Sequence, residues 1–230
     1  MRDFTSDPII ESFNQHVSNQ AFPCLAAHSA ISNDQLRYYI ADHMACPHDD
    51  AGILSFLYDF VDELRHSGHS FFSAVVFFRE PMIHSEEMFE SFFWPRLQSL
   101  SDMDARVYPY DGRVDMDIQA PTFSFSLKEE AFYIIGLHPA CSRKARAFSY
   151  PAMVFNAHVQ FEKLREENHY TKMQDVVRKR DVEYSGSVNP MLTDFGTASE
   201  AFQYTGRQYD HQWKCPLIIR HARSNHHSAT

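Results

Sequence analysis

Residues 132–165 read FYIIGLHPACSRKARAFSYPAMVFNAHVQFEKLR, and this stretch decides the fold. It contains two apolar runs, AFYIIGL at 131–137 and AMVFN at 152–156, on either side of a short basic loop. Runs of this length and composition are typical of buried strands. Just upstream, TFSFSL at 122–127 alternates apolar and polar residues and predicts a half-exposed strand, with a turn at 128–130. We therefore expect three strands that form an antiparallel meander.

Helical periodicity predicts that helices flank this sheet. The predicted helices cover residues 9–18, 32–44, 53–64, 85–97, 157–164 and 171–180, and 70–78 reads as a further buried strand. Ser32 and Gln35 resemble a capping box, Pro95 is expected to bend its helix or to end its first half, and Asn156 is expected to cap the helix that follows it. The basic run RKR at 178–180 is interpreted as a solvated helix end.

The predicted fold class is therefore α+β, with an antiparallel sheet flanked by helices. We expect a single compact domain with an N-terminal helical part, since 230 residues that are 44% apolar can bury a sizeable core. Residues 1–221 are assigned to this domain and 222–230, which are polar, to a disordered tail.

Charge and composition exclude several classes of protein. The formal net charge of -9 argues against a nucleic-acid-binding face, which would have to be basic. No apolar run approaches the roughly 20 residues that a membrane span needs, and the N-terminus lacks the pattern of a signal peptide, so we expect a cytoplasmic protein without membrane contact. The four cysteines are far apart and are expected to be free thiols.

The basic loop and its two flanking histidines are the candidate site. His138 ends one predicted strand, His158 lies in the first turn of the helix after the next, and Arg143, Lys144 and Arg146 lie between them. Imidazole is a common axial ligand of heme iron, and arginine matches the carboxylates of the propionates. The same residues also suit a plain structural role, a histidine at a strand end and a charged loop.

Several motifs of the chain resemble the YqcI/YcgG family. The motifs are GLHPACSRKARAF at 136–148, PAMVFNAHVQFEKLR at 151–165, GSVNPML at 186–192, SEAFQYTGRQY at 199–209 and WKCPL at 213–217, together with FPCLAA at 22–27 and SEEMFESFFWPRLQSL at 85–100. They occur in the family's order and cover most of the chain. Characterised members of the family are heme-dependent N-oxygenases, including the arginine N-hydroxylase of D-cycloserine biosynthesis and the N-hydroxylase of guanitoxin biosynthesis.

The resemblance implies a heme-dependent monooxygenase that hydroxylates an amino or guanidino nitrogen of a small molecule such as arginine or a derivative. The implied cofactor is heme b, supplied with electrons by an external reductant together with O2, or with H2O2. A redox partner protein and a homodimer are left open. Arg143 and Arg146 are expected to bind the heme propionates or a substrate carboxylate. A cationic substrate would need a carboxylate, for which Glu87, Glu90, Asp194 and Glu200 are candidates, and the sequence does not choose among them.

His138 and His158 are alternative candidates for the axial ligand of the heme iron, and His138 is favoured because of its arginine neighbours. If the flanking strands pair as a hairpin, the two histidines lie at opposite ends and do not bind one iron together. Cys215, followed by a proline, is a third candidate, and Cys46 resembles it. Two other classes remain open: a heme-binding sensor or carrier without turnover, and a non-heme iron or non-metal protein of the same fold whose histidines are structural.

Overall fold

A computed structural model describes residues 7–67, 71–166, 170–191 and 193–223. The helices are α1 (Pro8–Ser18), α2 (Leu25–Ser32), α3 (Asp50–Ser67), α4 (Glu86–Asp104), α5 (His158–Glu166) and α6 (Tyr170–Ser185). The strands are β1 (Leu36–His43), β2 (Ser73–Glu80), β3 (Phe125–Leu127), β4 (Glu130–Leu137) and β5 (Ala152–Ala157). Short 3₁₀ turns lie at Pro47–Asp49, Lys144–Arg146 and Glu200–Gln203.

The five strands form one sheet in the order β1-β2-β5-β4-β3. The predicted meander is confirmed, because β3 pairs with β4 and β4 with β5, both antiparallel. The pair of β2 and β5 is also antiparallel, whereas β1 runs parallel to β2. The predicted α+β class with helices flanking a sheet is confirmed, and the sheet is mixed because β1 joins it.

Strand β2 is buried on both faces, as predicted, and it separates two apolar cores. Alternate side chains of a strand point to opposite faces of the sheet. Ala74, Val76 and Phe78 belong to the larger core, which includes the apolar faces of α3 and α4. Val75 and Phe77 belong to the smaller core, which includes the apolar face of α1. The sheet is therefore covered by helices on both sides.

Helix α4 carries much of the larger core and begins where the sequence predicts. The hydroxyl of Ser85 accepts a hydrogen bond from the backbone N–H of Met88 at 3.1 Å, which satisfies one of the free donors of the first turn. The helix does not end near Pro95 but continues to Asp104, so of the two alternatives an end at Pro95 is wrong, and a bend there stays a prediction. Pro95 is exposed, whereas Phe93 and Leu97 on either side of it are buried, and this packing holds the helix together.

The helix predicted from Ser32 to Met44 is wrong. Ser32 is the last residue of α2, and the backbone turns at Asp34, where φ is 54°, into strand β1. The apolar residues of this segment fit both a helical and a strand period, and Tyr38 and Tyr39 favour strands. Pairing with the fully buried strand β2 decides the outcome.

Two smaller predictions after the meander are also wrong. Asn156 does not cap a helix but lies in β5, where its amide donates to the carbonyl of Tyr133 at 3.2 Å and accepts from the hydroxyl of Ser73 at 2.8 Å. The RKR run at 178–180 lies inside α6, which ends only at Ser185. The four cysteines are free, as predicted.

The C-terminal segment crosses back over the larger core. Leu217 is buried in that core, and the carbonyl of Ala222 accepts a hydrogen bond from the backbone N–H of Tyr110 at 2.9 Å. Residues 224–230 lie outside the described residues, so the disordered tail stays a prediction. Within the described part of the chain, no helix is long and apolar enough to cross a membrane.

Candidate functional site

The β4–β5 hairpin places the two candidate histidines at opposite ends. His138 directly follows β4, whose last residue Leu137 pairs with Ala152, and His158 directly follows β5, whose last residue Ala157 pairs with Phe132. Five residue steps along a strand span roughly 17 Å. The prediction that the two imidazoles lie at opposite ends of the hairpin is confirmed by this register.

His138 is fully buried, and its ring has no hydrogen-bond partner among the residues that the structure describes. Its side of the hairpin is closed by Phe89 of α4, whose ring stacks on the imidazole with 4.2 Å between centroids. Both ring nitrogens are buried without a partner among the described residues. Burial lowers the pKa of His138 to about 4, an effect that Glu86 opposes and Arg146 reinforces. The imidazole is therefore neutral near pH 7, which is the form that binds a metal.

The backbone around His138 is held by the basic loop itself. The N–H of His138 donates to the carbonyl of Arg146 at 3.1 Å, and the N–H of Cys141 donates to the carbonyl of His138 at 3.2 Å. The N–H of Ser142 donates to the Glu86 carboxylate at 2.9 Å. These contacts fix the loop against the start of α4 and position the imidazole independently of its own ring nitrogens.

The two arginines of the loop have different surroundings. Arg143 forms an ion pair with Asp181 of α6 at 2.5 Å and also donates to the carbonyl of Ser187 at 2.7 Å. Arg146 is buried and donates to the carbonyl of Tyr204 at 2.9 Å, but it forms no ion pair within the described residues. Of the two, only Arg146 has a charge that is free to pair with an anionic group.

Gly206 makes room for Arg146. It has a φ of 86°, and a Cβ at this position would approach Cδ of Arg146 to 2.7 Å. A side chain here would also contact Sγ of Cys141 at 3.3 Å. The segment that contains Tyr204 and Gly206 thus covers the inner side of the basic loop.

His158 is also buried, and of its two ring nitrogens only Nε2 has a hydrogen-bond partner among the described residues. Its Nε2 lies 3.2 Å from the carboxylate of Glu200, whose other oxygen accepts a hydrogen bond from the hydroxyl of Ser124 at 2.8 Å. Its Nδ1 lies 3.7 Å from Glu162, and the ring of Phe195 is 4.4 Å away. A carboxylate that pairs with an imidazole fixes the orientation of the ring. This arrangement occurs in purely structural hydrogen-bond networks and also at metal-binding histidines, where the carboxylate pairs with the ring nitrogen that does not bind the metal.

The remaining candidates are engaged elsewhere. The acidic candidates Glu87 and Glu90 both form ion pairs with Arg207, with N···O distances of 3.0 and 2.7 Å. Asp194 contacts Arg178 at 3.4 Å, and the fourth acidic candidate, Glu200, pairs with His158 as described above. Cys215 is buried, and burial raises the pKa of its thiol to about 12, which favours the protonated thiol over the thiolate that binds iron. Cys46 is exposed.

Two clefts open on the described surface. One, of about 480 Å³, lies beside the basic loop and is lined by Lys144 and Ala147. The other, of about 710 Å³, lies on the outer side of α4 and is lined by Trp94 and Trp213. Neither cleft is lined by the candidate histidines or by Arg146, which are buried.

Sequence reasoning missed Phe89, Glu86 and the pair of Tyr204 and Gly206 as parts of the site. All four lie in the segments 85–100 and 199–209, whose motifs indicated the family resemblance. The described residues contain no group of three or more His, Cys, Asp or Glu side chains that could hold a metal ion. Heme differs from such sites because the porphyrin supplies four ligands and the protein supplies the axial ones.

The comparisons with known proteins agree with the motifs. The model of the YqcI/YcgG family matches residues 13–218. The protein YqcI of Bacillus subtilis strain 168, described as uncharacterized, is 28% identical over 207 residues, which are 86% of this chain and 80% of the relative. YcgG of the same organism, also described as uncharacterized, is 26% identical over 206 residues, which are 85% of this chain and 80% of the relative. No solved structure matches. Since the family model spans well over half of the sequence, the chain belongs to the YqcI/YcgG family.

Proposed function

We propose that this protein is a heme-dependent N-oxygenase that hydroxylates an amino or guanidino nitrogen of a small molecule. The observation that carries the proposal is the buried imidazole of His138, whose two ring nitrogens have no partner among the described residues. A buried polar group without a hydrogen bond costs about 1–3 kcal/mol. A bound metal that takes up one of these nitrogens offsets that penalty.

In the proposed holoprotein, His138 would hold the heme iron through one nitrogen of its neutral imidazole. Phe89 covers the face of the ring, and the two nitrogens lie at its edge, where coordination takes place. Arg146 is buried and forms no ion pair with any described residue, so its charge fits a heme propionate or a substrate carboxylate. Arg143 is less suited, because Asp181 already neutralises it.

When bound, heme supplies the activation of O2 or H2O2 that transfers one oxygen to the substrate nitrogen. The protein's own residues hold the neutral imidazole, pair with the anionic groups and exclude bulk water. His158 remains the alternative ligand, and its bond to Glu200 would then orient it.

The cofactor is tested by titrating the heme-free protein with heme and measuring the pyridine hemochromogen. We expect about one heme per chain and the Soret band of a histidine-ligated heme in the ferrous carbonyl complex. His138→Ala should abolish this spectrum, with rescue by added imidazole, whereas His158→Ala should keep it. His211→Ala serves as the control, since His211 is an exposed histidine outside the site. Clearly substoichiometric binding by folded protein contradicts the proposal.

The role of Arg146 is tested in the same titration. A charge-assisted contact contributes about 1.5–3 kcal/mol, so Arg146→Ala should weaken heme or substrate binding by roughly tenfold or more. Arg143→Ala should have a smaller effect, since Arg143 is paired. Equal, unchanged affinities in both variants would show that the loop does not bind the cofactor or the substrate.

Turnover is tested separately by mass spectrometry with labelled O2 or labelled peroxide. Free arginine is the first compound to try, followed by a panel of amines and guanidines. We expect one labelled oxygen on nitrogen. A protein that binds heme and gives only substrate-independent peroxide decay is a sensor or carrier and not an oxygenase.

A further inference from the structure

We propose that the cleft beside the basic loop is a binding site for a small organic anion that carries carboxylate or phosphate groups. This anion cleft lies between α1, the segment that follows it, the turn at Lys144–Arg146 and α6. It is distinct from the heme site proposed above, because neither His138 nor Arg146 lines it. Its volume of about 480 Å³ suits a small metabolite.

Two cations in the cleft have no acidic partner. The ammonium group of Lys144 is exposed and makes no ion pair or hydrogen bond with any described residue. The guanidinium of Arg180 likewise has no carboxylate partner in the part of the chain that the structure describes. Most other arginines of this acidic protein, such as Arg37 and Arg207, do pair with carboxylates. Two unpaired cations beside one cleft therefore favour an anionic ligand.

Arg180 is held in place with donors to spare. Its Nη2 donates to the carbonyl of Phe22 at 2.8 Å and to that of Gln20, which anchors the guanidinium against the segment after α1. Its Nε is buried and has no hydrogen-bond acceptor among the described residues. A guanidinium carries five N–H donors in a fixed fork, so the remaining donors can bind a carboxylate or phosphate oxygen.

His16 adds a third polar group to the cleft. Its Nε2 is buried and has no partner in the described parts of the chain. The ring packs against Phe22 and Phe148, with centroids 5.3 and 5.8 Å away. Burial lowers the pKa of His16, so a neutral imidazole with one donor and one acceptor nitrogen faces this region near pH 7. A ligand oxygen or an ordered water satisfies it.

The remaining lining residues limit the ligand. Ala147 and the ring of Tyr184 supply apolar surface, which fits a short carbon skeleton better than a bare ion. Glu183 is the one acidic lining residue, and it is exposed at the edge of the cleft. Its negative charge opposes anion binding. Neutralising Glu183 should therefore strengthen the affinity of the cleft for an anion.

The test is isothermal titration of the full chain, free of heme, with succinate, citrate and inorganic phosphate, and with uncharged succinamide as the control ligand. We expect saturable binding of one anion per chain and none of succinamide. Binding of phosphate alone would assign the site to phosphate groups, and binding of succinate or citrate would assign it to carboxylates. Absence of saturable binding for all three anions at millimolar concentration overturns the proposal and leaves the cleft to water.

Variants locate the site. Lys144→Ala should weaken binding by about tenfold, because it removes a charged contact of about 1.5 kcal/mol without disturbing any other contact. Lys172→Ala is the matched control. It removes the same charge from an exposed position of α6 that lies about 12 Å from Arg180 along the helix. Glu183→Gln should strengthen binding, and Arg180→Lys keeps the charge but should weaken binding through loss of the guanidinium fork.

Equal weakening by Lys144→Ala and Lys172→Ala would mean diffuse electrostatic attraction and would contradict a defined site. The experiment is independent of the proposed function, because it uses heme-free protein. Heme stoichiometry is measured on the unaltered protein in a separate titration, so that failure of one proposal is distinguishable from failure of the other.

Discussion

At the scale of single residues, the partners of the buried histidines separate their roles. Three histidines of the described chain are almost fully buried: His138, His158 and His221. His158 has Glu200 as a partner, and His221 lies 2.9 Å from a carboxylate oxygen of Asp104. Only His138 has neither ring nitrogen bonded. The sequence does not distinguish the three histidines, because the carboxylates that pair with His158 and His221 come from distant segments of the chain.

The carboxylate of Asp104 is predicted to make a large contribution to the stability of the fold. Its carboxylate accepts hydrogen bonds from the hydroxyl of Tyr58 at 2.7 Å and the N–H of Lys128 at 3.0 Å, in addition to its contact with His221. Asp104→Ala leaves the buried His221 and the two half-buried donors without this acceptor, so the free energy of unfolding should fall by about 3–5 kcal/mol. Urea denaturation measures the change. Asp102→Ala, which breaks an exposed pair with Arg220, should lower it by less than about 1 kcal/mol. Equal losses would show that burial of Asp104 does not matter.

His16 is predicted to make the protein sensitive to mild acid. Burial lowers its pKa in the folded state below that of the unfolded chain. Below the unfolded pKa of about 6.5 the unfolded chain therefore binds more protons, and stability falls as the pH falls. His16→Gln should reduce the loss of unfolding free energy between pH 7 and pH 5, measured by urea denaturation in a buffer without carboxylate or phosphate. His66→Gln, at an exposed histidine, should leave that loss unchanged.

At the scale of elements, the sequence predicted what local periodicity controls. The meander, the buried apolar face of α3 and the start of α4 after Ser85 all depend on residues close in sequence. These predictions are confirmed. Strand β1 was missed because its pattern fits two periods and only pairing with β2 selects one. His138 and Arg146 share one loop, so their proximity is visible in the sequence, which makes both of them candidates. Phe89 and Gly206 were not, because they come from distant segments.

The turn between β3 and β4 stores backbone strain at the element scale. Lys128 and Glu129 have φ values of 52° and 57°, a left-handed conformation that favours glycine. The side chain of Glu129 is exposed, and Lys128 holds the turn through an ion pair with Asp62. Glu129→Gly should therefore raise the free energy of unfolding by about 0.5–1 kcal/mol, and the melting temperature by about 1–4 °C. Glu129→Ala is the control: it removes the same charge and keeps the strain, so an equal rise in that variant would attribute the effect to charge.

At the scale of the whole molecule, stability is distributed unevenly around the sheet. The helices that cover the sheet, α1, α3 and α4, bury continuous apolar faces in the two cores. Helix α6 buries no residue completely and is attached through polar contacts, among them the pair of Arg143 with Asp181 and the bonds of Arg180. Helices with few buried apolar contacts open at lower free energy than core elements. The anion cleft and the basic loop both border this weakly attached helix.

Asp181→Asn should therefore loosen α6 without unfolding the sheet. The carboxylate of Asp181 holds Arg143 and also accepts from the hydroxyl of Ser185 at 2.9 Å. Losing the charge of a partly buried pair removes about 1–2 kcal/mol, so amide hydrogen exchange in α6 should speed up by roughly tenfold, with β2 unchanged. Asp175→Asn, at an exposed position of the same helix, should leave both rates as they are. Acceleration in β2 to the same degree would mean that α6 and the sheet unfold as one unit. If succinate restores slow exchange in the Asp181→Asn protein but not in the double variant that combines Asp181→Asn with Lys144→Ala, then occupancy of the anion cleft and docking of α6 are one equilibrium. In that case the ligand also sets how firmly the loop between His138 and Arg146 is held.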